Sequence, residues 1–329
     1  MNARVCAVIP YFQREPGILR RALEAAFAQA QVPPPHIVIV DDSSPVPAAG
    51  EVAALPEAQR AHVTVLRQPN GGPAAARNRG LDAVPAEVEY IAFLDSDDQW
   101  LPQHLARACA ALDAGFDFYF ANYFDVDSTV DGFTERGILG TARAHPLPRP
   151  SESFAYREDL MLQILDQGAI ETSTVVFRRA ALGDLRFRVD FRDAYEDLMF
   201  WLDVAQRTQR IAFSTQPEVQ YGRGINLFRS GTWGTDASMK RVVASTRFRS
   251  HARRHRPLNA AQRAVVDARL AVNRRDFVSE LLHRVRARKP MLWPHVRHMF
   301  RADPVALLTL LPEALRQVAR RAGSKPRGG

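Results

Sequence analysis

The chain opens on a block of core-type residues, "RVCAVIPYF", followed by "PGILRRALEAAFAQA", whose apolar positions recur at helical spacing. The alternation then repeats. "HIVIVDD" is a second short run rich in Val and Ile, bounded by "PPP" and "SSP", and "HVTVLRQ" is a third. "GPAAARNRGLDAV" reads as a helix with Pro73 near its start, "YIAFLDSDD" as a fourth strand, and "LPQHLARACAALDAG" as a helix closed by Gly115. Short β-branched runs alternating with helices predict an α/β fold with a mostly parallel sheet covered on both faces. Past residue 116 the pattern changes: "FDFYFANYFDVD" and "TSTVVFRRAAL" predict strands, joined by a polar, Pro-rich connection around 140–153. "YEDLMFWLDVAQRT" predicts a helix that grips the sheet through Leu198, Phe200, Trp201, Leu202 and Val204. "RIAFSTQPEVQYGRGINLFRSG" predicts a short strand or two and a Gly-rich loop, and from about 236 onward the pattern is helical. The expected organisation is one domain over 1–235, in halves 1–115 and 116–235, and a basic α-helical region over 236–329.

With 46% hydrophobic and 24% charged residues, the 329-residue chain is not of a disordered class. Its net charge of +8 conceals an asymmetry: residues 1–245 hold about 24 Lys+Arg against 31 Asp+Glu, and 246–329 about 20 against 5. A tail of that charge suits an anionic lipid surface, nucleic acid or an acidic partner. It equally suits helices that pack an apolar stripe on their own domain and leave the arginines solvated. Cys6 and Cys109 lie in apolar stretches without metal-ligand spacing, as buried free thiols do. "MNARVCAVIP" has no signal-peptide layout, and no window approaches the roughly 18 apolar residues that span a bilayer. The expected location is cytoplasmic, with peripheral attachment to the cytoplasmic membrane face open to the tail.

Chemistry concentrates at the ends of the strands, where open α/β sheets bind ligands. "FLDSDDQW" delivers Asp95, Asp97 and Asp98 directly after an apolar run. One of them, Asp97 or Asp98, suffices to cap a helix starting near Leu101–Pro102, with Asp98 the expected cap; the others match a Mg²⁺ or Mn²⁺ site that bridges to phosphate. Asp41 and Asp42 either start a turn with Ser43, Ser44 and Pro45 or accept hydrogen bonds from a ribose or base edge. "NGGPAAARNRGL" opens a helix with glycines and carries Arg77 and Arg79, suited to a phosphate or to solvent. No Walker loop and no GxGxxG after the first strand are present, which weighs against dinucleotide oxidoreductases. Glu196 and Asp197 either complement a helix N-terminus or include a general base.

In order, "VIPYF", "IVDDSS", "NGGPAAARNRGL", "FLDSDDQWLP", "ETSTVVFRR" and "YEDLMFWLDV" resemble the family 2 glycosyltransferases, inverting enzymes of GT-A fold, over about residues 4 to 225. The resemblance implies a GT-A type sheet and transfer of one sugar from a nucleotide-diphosphate-sugar donor to a glycan or lipid-linked acceptor, as in bacterial-type surface polysaccharide or glycolipid synthesis. It implies donor contacts at Pro10, Tyr11, Asp41, Asp42, Gly72, Arg77, Asp95 and Ser96. Asp97, with Asp95, is the implied Mn²⁺ or Mg²⁺ ligand, Asp197 in its pair with Glu196 the catalytic base, and Glu171 and Thr172 acceptor-side residues. Gln13 stands where the family often has Asn, and no "QxxRW" follows the Glu-Asp helix, which disfavours a processive synthase. Where many relatives carry a late His this chain has "YGRGINLFRSG", so either Arg223 or Asn226 is expected to serve the diphosphate, or the metal relies on water. No nucleic-acid partner is expected. The alternative from another class is a catalytically silent nucleotide-sugar-binding or scaffold protein.

Overall fold

The computed structural model describes residues 3–137, 145–148, 152–168, 170–192, 194–222 and 233–323. The chain divides into two compact units, 1–192 with 196–225, and 193–195 with 226–329. The expected boundary at 235 falls inside the second.

The first unit is built on one mixed sheet. Strand β1 (Val5–Tyr11) leads through helix α1 (Ile18–Phe27) to β2 (His36–Asp41). Two short helices that periodicity did not reveal, α2 (Ala48–Ala53) and α3 (Glu57–Arg60), precede edge strand β3 (Val63–Arg67). Helix α4 (Pro73–Asp82) then returns to β4 (Tyr90–Phe93). Pro73 takes the first helical position, where its missing N–H costs nothing. Gly80 of α4 lies so close to Val8 that a Cβ there would overlap the valine, so the helix sits tight on β1. These four strands are mutually parallel in the order β3-β2-β1-β4, and β1 and β2 are buried almost throughout, as strands covered on both faces must be.

Beyond β4 come the two-residue β5 (Gln99–Trp100), α5 (His104–Asp113), β6 (Phe118–Phe124) and α6 (Gly132–Arg136). Within the expected Pro-rich connection the described residues form β7 (His145–Pro146) and β8 (Ser153–Ala155), followed by α7 (Leu160–Asp166). The stretch "TSTVVFRRAAL", expected as one strand, breaks into a single 3₁₀ turn at Thr172–Thr174, a three-residue β9 (Val176–Arg178) and α8 (Arg179–Leu182). Its apolar run is short because only Val176 and Phe177 must fill the sheet between β4 and β6. Helix α9 (Glu196–Arg207) and β10 (Ile211–Gln220) complete the unit. β9 is antiparallel to both β4 and β6, while β10 runs parallel to β6.

An aromatic cluster fixes α9 against the sheet. Phe200 stacks on Phe187 at 4.3 Å and meets Phe93 of β4 edge-on at 5.8 Å, and Trp201 lies 6.4 Å from the same ring. Large rings in such contacts bury area and add directional preference. Phe93 is two residues before Asp95, so the packing that seats α9 also brings its N-terminus to the end of β4.

The second unit is helical: α10 (Asp236–His255), α11 (Ala260–Arg286), α12 (Trp293–Ala302) and α13 (Val305–Gly323). Asn259 and Gln262 form a reciprocal capping box at the start of α11. Met239, Val243, Phe277, Val296 and Met299 form the shared core. Among the described residues no helix is long and apolar enough to cross a membrane.

Candidate active site

The acid clusters meet at the carboxyl ends of β1, β2 and β4, and one cation joins two of them. Arg77, on α4, donates from Nη2 to Asp95 Oδ1 at 2.7 Å and from Nη1 to Glu196 Oε1 at 3.0 Å. Its guanidinium also lies 5.3 Å over the Phe187 ring. Burial alone would lower its pKa, but the Asp95, Glu196 and Asp197 carboxylates outweigh that and raise it. Arg77, expected beside the nucleotide, therefore acts first as an internal brace. An Arg fork suits this position because its planar donors serve two carboxylates at once.

Around this brace each carboxylate has a different environment. Glu196 is buried, and burial raises its pKa even though Arg77 pulls the other way. Asp197 keeps a partly accessible face and accepts a bond from the Leu198 N–H at 2.7 Å. Burial and the adjacent Glu196 push it up to about 7, poised to exchange a proton near neutrality. Tyr195, just ahead of the pair, holds a left-handed φ of 67°, a conformation that costs a non-glycine residue about 1–2 kcal/mol.

The Asp95–Asp98 turn is fastened from beneath by Ser173, which the sequence reading overlooked. Its fully buried Oγ accepts from the Asp95 N–H at 3.0 Å and donates to Asp98 Oδ2 at 2.5 Å, while its carbonyl accepts from Trp100 Nε1 at 2.7 Å. Asp98 Oδ1 accepts from the Gly222 N–H at 3.0 Å. Asp98 is thus not a helix cap. Strand β5 intervenes, so α5 begins only at His104, with Gln103 at the N-cap position and no side-chain cap bond. Burial, with Asp97 and Asp95 close by, raises the pKa of Asp98 well above the ordinary carboxylate value. A Cβ on Gly222 would strike the Asp97 carbonyl oxygen, so only glycine lets the segment after β10 run against this turn. Asp95 and Asp97 keep partly accessible side chains, Asp95 at 34%. Removing the Ser173 hydroxyl should be costly. Ser173→Ala leaves the Asp95 N–H and one Asp98 oxygen without this partner, at about 1–3 kcal/mol for each buried group. A melting temperature equal to that of the parent chain would show that the clasp is idle.

The pair after β2 is built into loops. Asp41 accepts from the Ser44 and Ala48 N–H groups, at 2.8 and 2.9 Å. Asp42 accepts from Gln68 Nε2 and from the N–H groups of Gly71 and Gly72, all at 2.7–2.8 Å. Gly72 adopts a φ of 86°, which the bend into α4 requires. Gln13 ties this loop to the acid turn: its N–H donates to Ser44 Oγ, and its Nε2 donates to Ser96 Oγ at 3.0 Å. Tyr11 is buried in the core and presents no open ring, whereas Pro10 beside it is half-buried. Glu171 accepts from the Tyr221 hydroxyl at 2.9 Å and pairs with Arg136 at 2.7 Å. Thr172 next to it is buried, so of the two only Glu171 offers surface to a ligand. Arg223 and Asn226 lie outside the described residues.

No group of three or more His, Cys, Asp or Glu among the described residues could by itself hold a metal ion. Asp95 and Asp97 still fit a Mg²⁺ or Mn²⁺, because such ions commonly take only one or two protein carboxylates and complete their shell with water and substrate phosphate.

Comparison with known proteins identifies the family and the fold. Residues 6–184 match the model of Glycosyl transferase family 2. The chain is 38% identical over 236 residues to the succinoglycan biosynthesis protein ExoW of Rhizobium meliloti (strain 1021), covering 69% of this chain and 72% of ExoW. In fold it resembles S. aureus TarS residues 1–349 in complex with UDP-GlcNAc, with a TM-score of 0.60 at 17% identity over 98% of this chain and 93% of that one. It also resembles the mannosyltransferase PcManGT of Pyrobaculum calidifontis in complex with GDP-Man and Mn²⁺, with a TM-score of 0.57 at 16% identity over 99% and 88% of the two chains. With the family model matching over half of the chain and a relative of this similarity, the chain belongs to glycosyl transferase family 2.

Proposed function

We propose that the protein moves one sugar from a nucleotide-diphosphate-sugar to an acceptor hydroxyl, with inversion, in the assembly of a surface polysaccharide or glycolipid. The observation that carries this reading is the Arg77 brace, which joins Asp95, at the end of β4, to Glu196 of the Glu196–Asp197 pair. Asp197 takes the proton from the attacking hydroxyl, while Glu196, pinned by Arg77, keeps the pair in position. Asp97, with the free side of Asp95, holds the divalent ion; when bound, that ion offsets charge on the leaving diphosphate. Pro10 and Gly72 edge the nucleotide side, whose loops the buried Asp41, Asp42 and Ser96 hold in shape, with Arg223 a further diphosphate partner and Glu171 on the acceptor side. The ExoW likeness and the nucleotide-sugar complexes of the two fold relatives support the donor class. The strongly basic helical region 236–329 is read as attachment to an anionic membrane face that presents a lipid-linked acceptor.

A thermal-shift screen of UDP, GDP and their sugars, with and without Mn²⁺, followed by measurement of nucleoside diphosphate release, tests the reading. The expected result is a Mn²⁺-dependent shift for one nucleotide class and turnover of its sugar. Binding without turnover across a broad acceptor panel would favour the silent binding protein instead.

A further inference from the structure

Helix α13 has two apolar faces, and the fold of the helical unit uses one. On the inner face Ala306 is buried and Leu310 packs into the cluster around Phe277 and Met299. Gln317 locks the rotation of the helix, donating to the Arg275 carbonyl at 3.0 Å and accepting from Ser279 at 2.7 Å. The outer face is the anomaly. Leu307, Leu308, Leu311, Leu315 and Val318 are 58%, 76%, 67%, 62% and 46% exposed. Their spacing places all five on an arc of about 100°, and the row is about 16 Å long at the rise of an α-helix. Large contiguous apolar surface of this kind marks a docking site.

We infer that this outer face of α13 lies in the interfacial layer of an anionic lipid bilayer, parallel to its plane. Charge selects the occupant. Residues 236–329 carry 22 Lys+Arg against 6 Asp+Glu. Arg297 and Arg301 on the preceding helix are exposed, and the Arg316 side chain is 72% exposed. Two copies meeting through α13 would bring two strongly cationic units together, whereas an anionic surface gains from each arginine near it. Trp293, 62% exposed at the start of α12, adds a side chain of the kind that favours the headgroup layer. Pro312 and Glu313 inside α13 suit a helix lying on the membrane rather than one crossing it.

This inference deepens the membrane part of the proposed function, naming the element that docks, and its test is independent of turnover. The full chain is floated with vesicles of phosphatidylcholine alone and of phosphatidylcholine with phosphatidylglycerol, beside the L308E/L311E double variant and the milder L315A. Circular dichroism and melting temperature verify that each variant is folded, as solvent-facing substitutions allow. Flotation of the parent chain with the anionic vesicles only, weakened about tenfold or more in the double variant and less in L315A, is expected. A parent chain that stays at the bottom with both vesicles, or a folded double variant that floats like the parent, overturns the inference. So does a parent dimer that the double substitution converts to monomer without any flotation. Nucleoside diphosphate release measured without vesicles separates this outcome from failure of the transferase reading.

Discussion

Asp197→Asn is expected to reduce sugar transfer to a small residual rate while leaving donor binding in place. Loss of a general base alone costs about 10²–10⁴-fold, and Asn is nearly isosteric, so Glu196, Arg77 and Asp95 keep their contacts. Because burial and Glu196 push Asp197 up to about 7, its ionised form grows as the pH rises through neutrality. The parent kcat should therefore fall below pH 7, and the residual rate of the variant should lack that limb. Stability moves in the opposite direction. A carboxyl whose folded pKa lies above its ordinary value of 3.8 binds its proton more tightly in the folded chain. Its contribution is thus complete below pH 4 and is lost as the pH climbs through about 7. Asp197→Asn should melt higher than the parent at pH 8, with the gain vanishing toward pH 4. Transfer at the parent rate would remove Asp197 from the role of base.

Asp97→Ala should remove the Mn²⁺-dependent part of nucleotide affinity and, with it, transfer. The described residues contain no metal cage, so the ion is expected to bind together with the diphosphate and to depend on each carboxylate that reaches it. Isothermal titration of the nucleoside diphosphate with and without Mn²⁺ reads this directly. The parent chain should gain affinity from the ion, and the variant should bind equally weakly in both conditions. Asp97 leaves the Ser173–Asp98–Gly222 clasp in place, so the variant should stay folded. An undiminished Mn²⁺ effect in a folded variant would place the ion elsewhere.

Much of this was written along the chain. Runs such as "CAVIPY" and "HIVIVD" are apolar on both faces because helices cover both sides of a parallel sheet, and the ends of β2 and β4 located the acids. Motif order also named Asp95, Asp97, Glu196 and Asp197. "TSTVVFRRAAL" misled because a short apolar run carries no periodicity to separate a turn, a strand and a helix. Asp98 misled because the two-residue β5, too short to leave a pattern, delays α5 beyond its reach.

By itself the sequence determined the long strands and helices, the acids at their ends and the cationic character of the last third, since these follow from local periodicity, residue type and charge. Only the tertiary structure decided the partners. Arg77 could face phosphate or solvent, Ser173 was one hydroxyl among several, and Gly222 was one glycine of a Gly-rich loop. Each acquired its role from groups distant in the chain: Glu196 for Arg77, Asp98 for Ser173 and Asp97 for Gly222. The outward row on α13 is of the same kind. Its leucines announce an amphipathic helix in either case, but which face remains uncovered is set by the helices packed against the other.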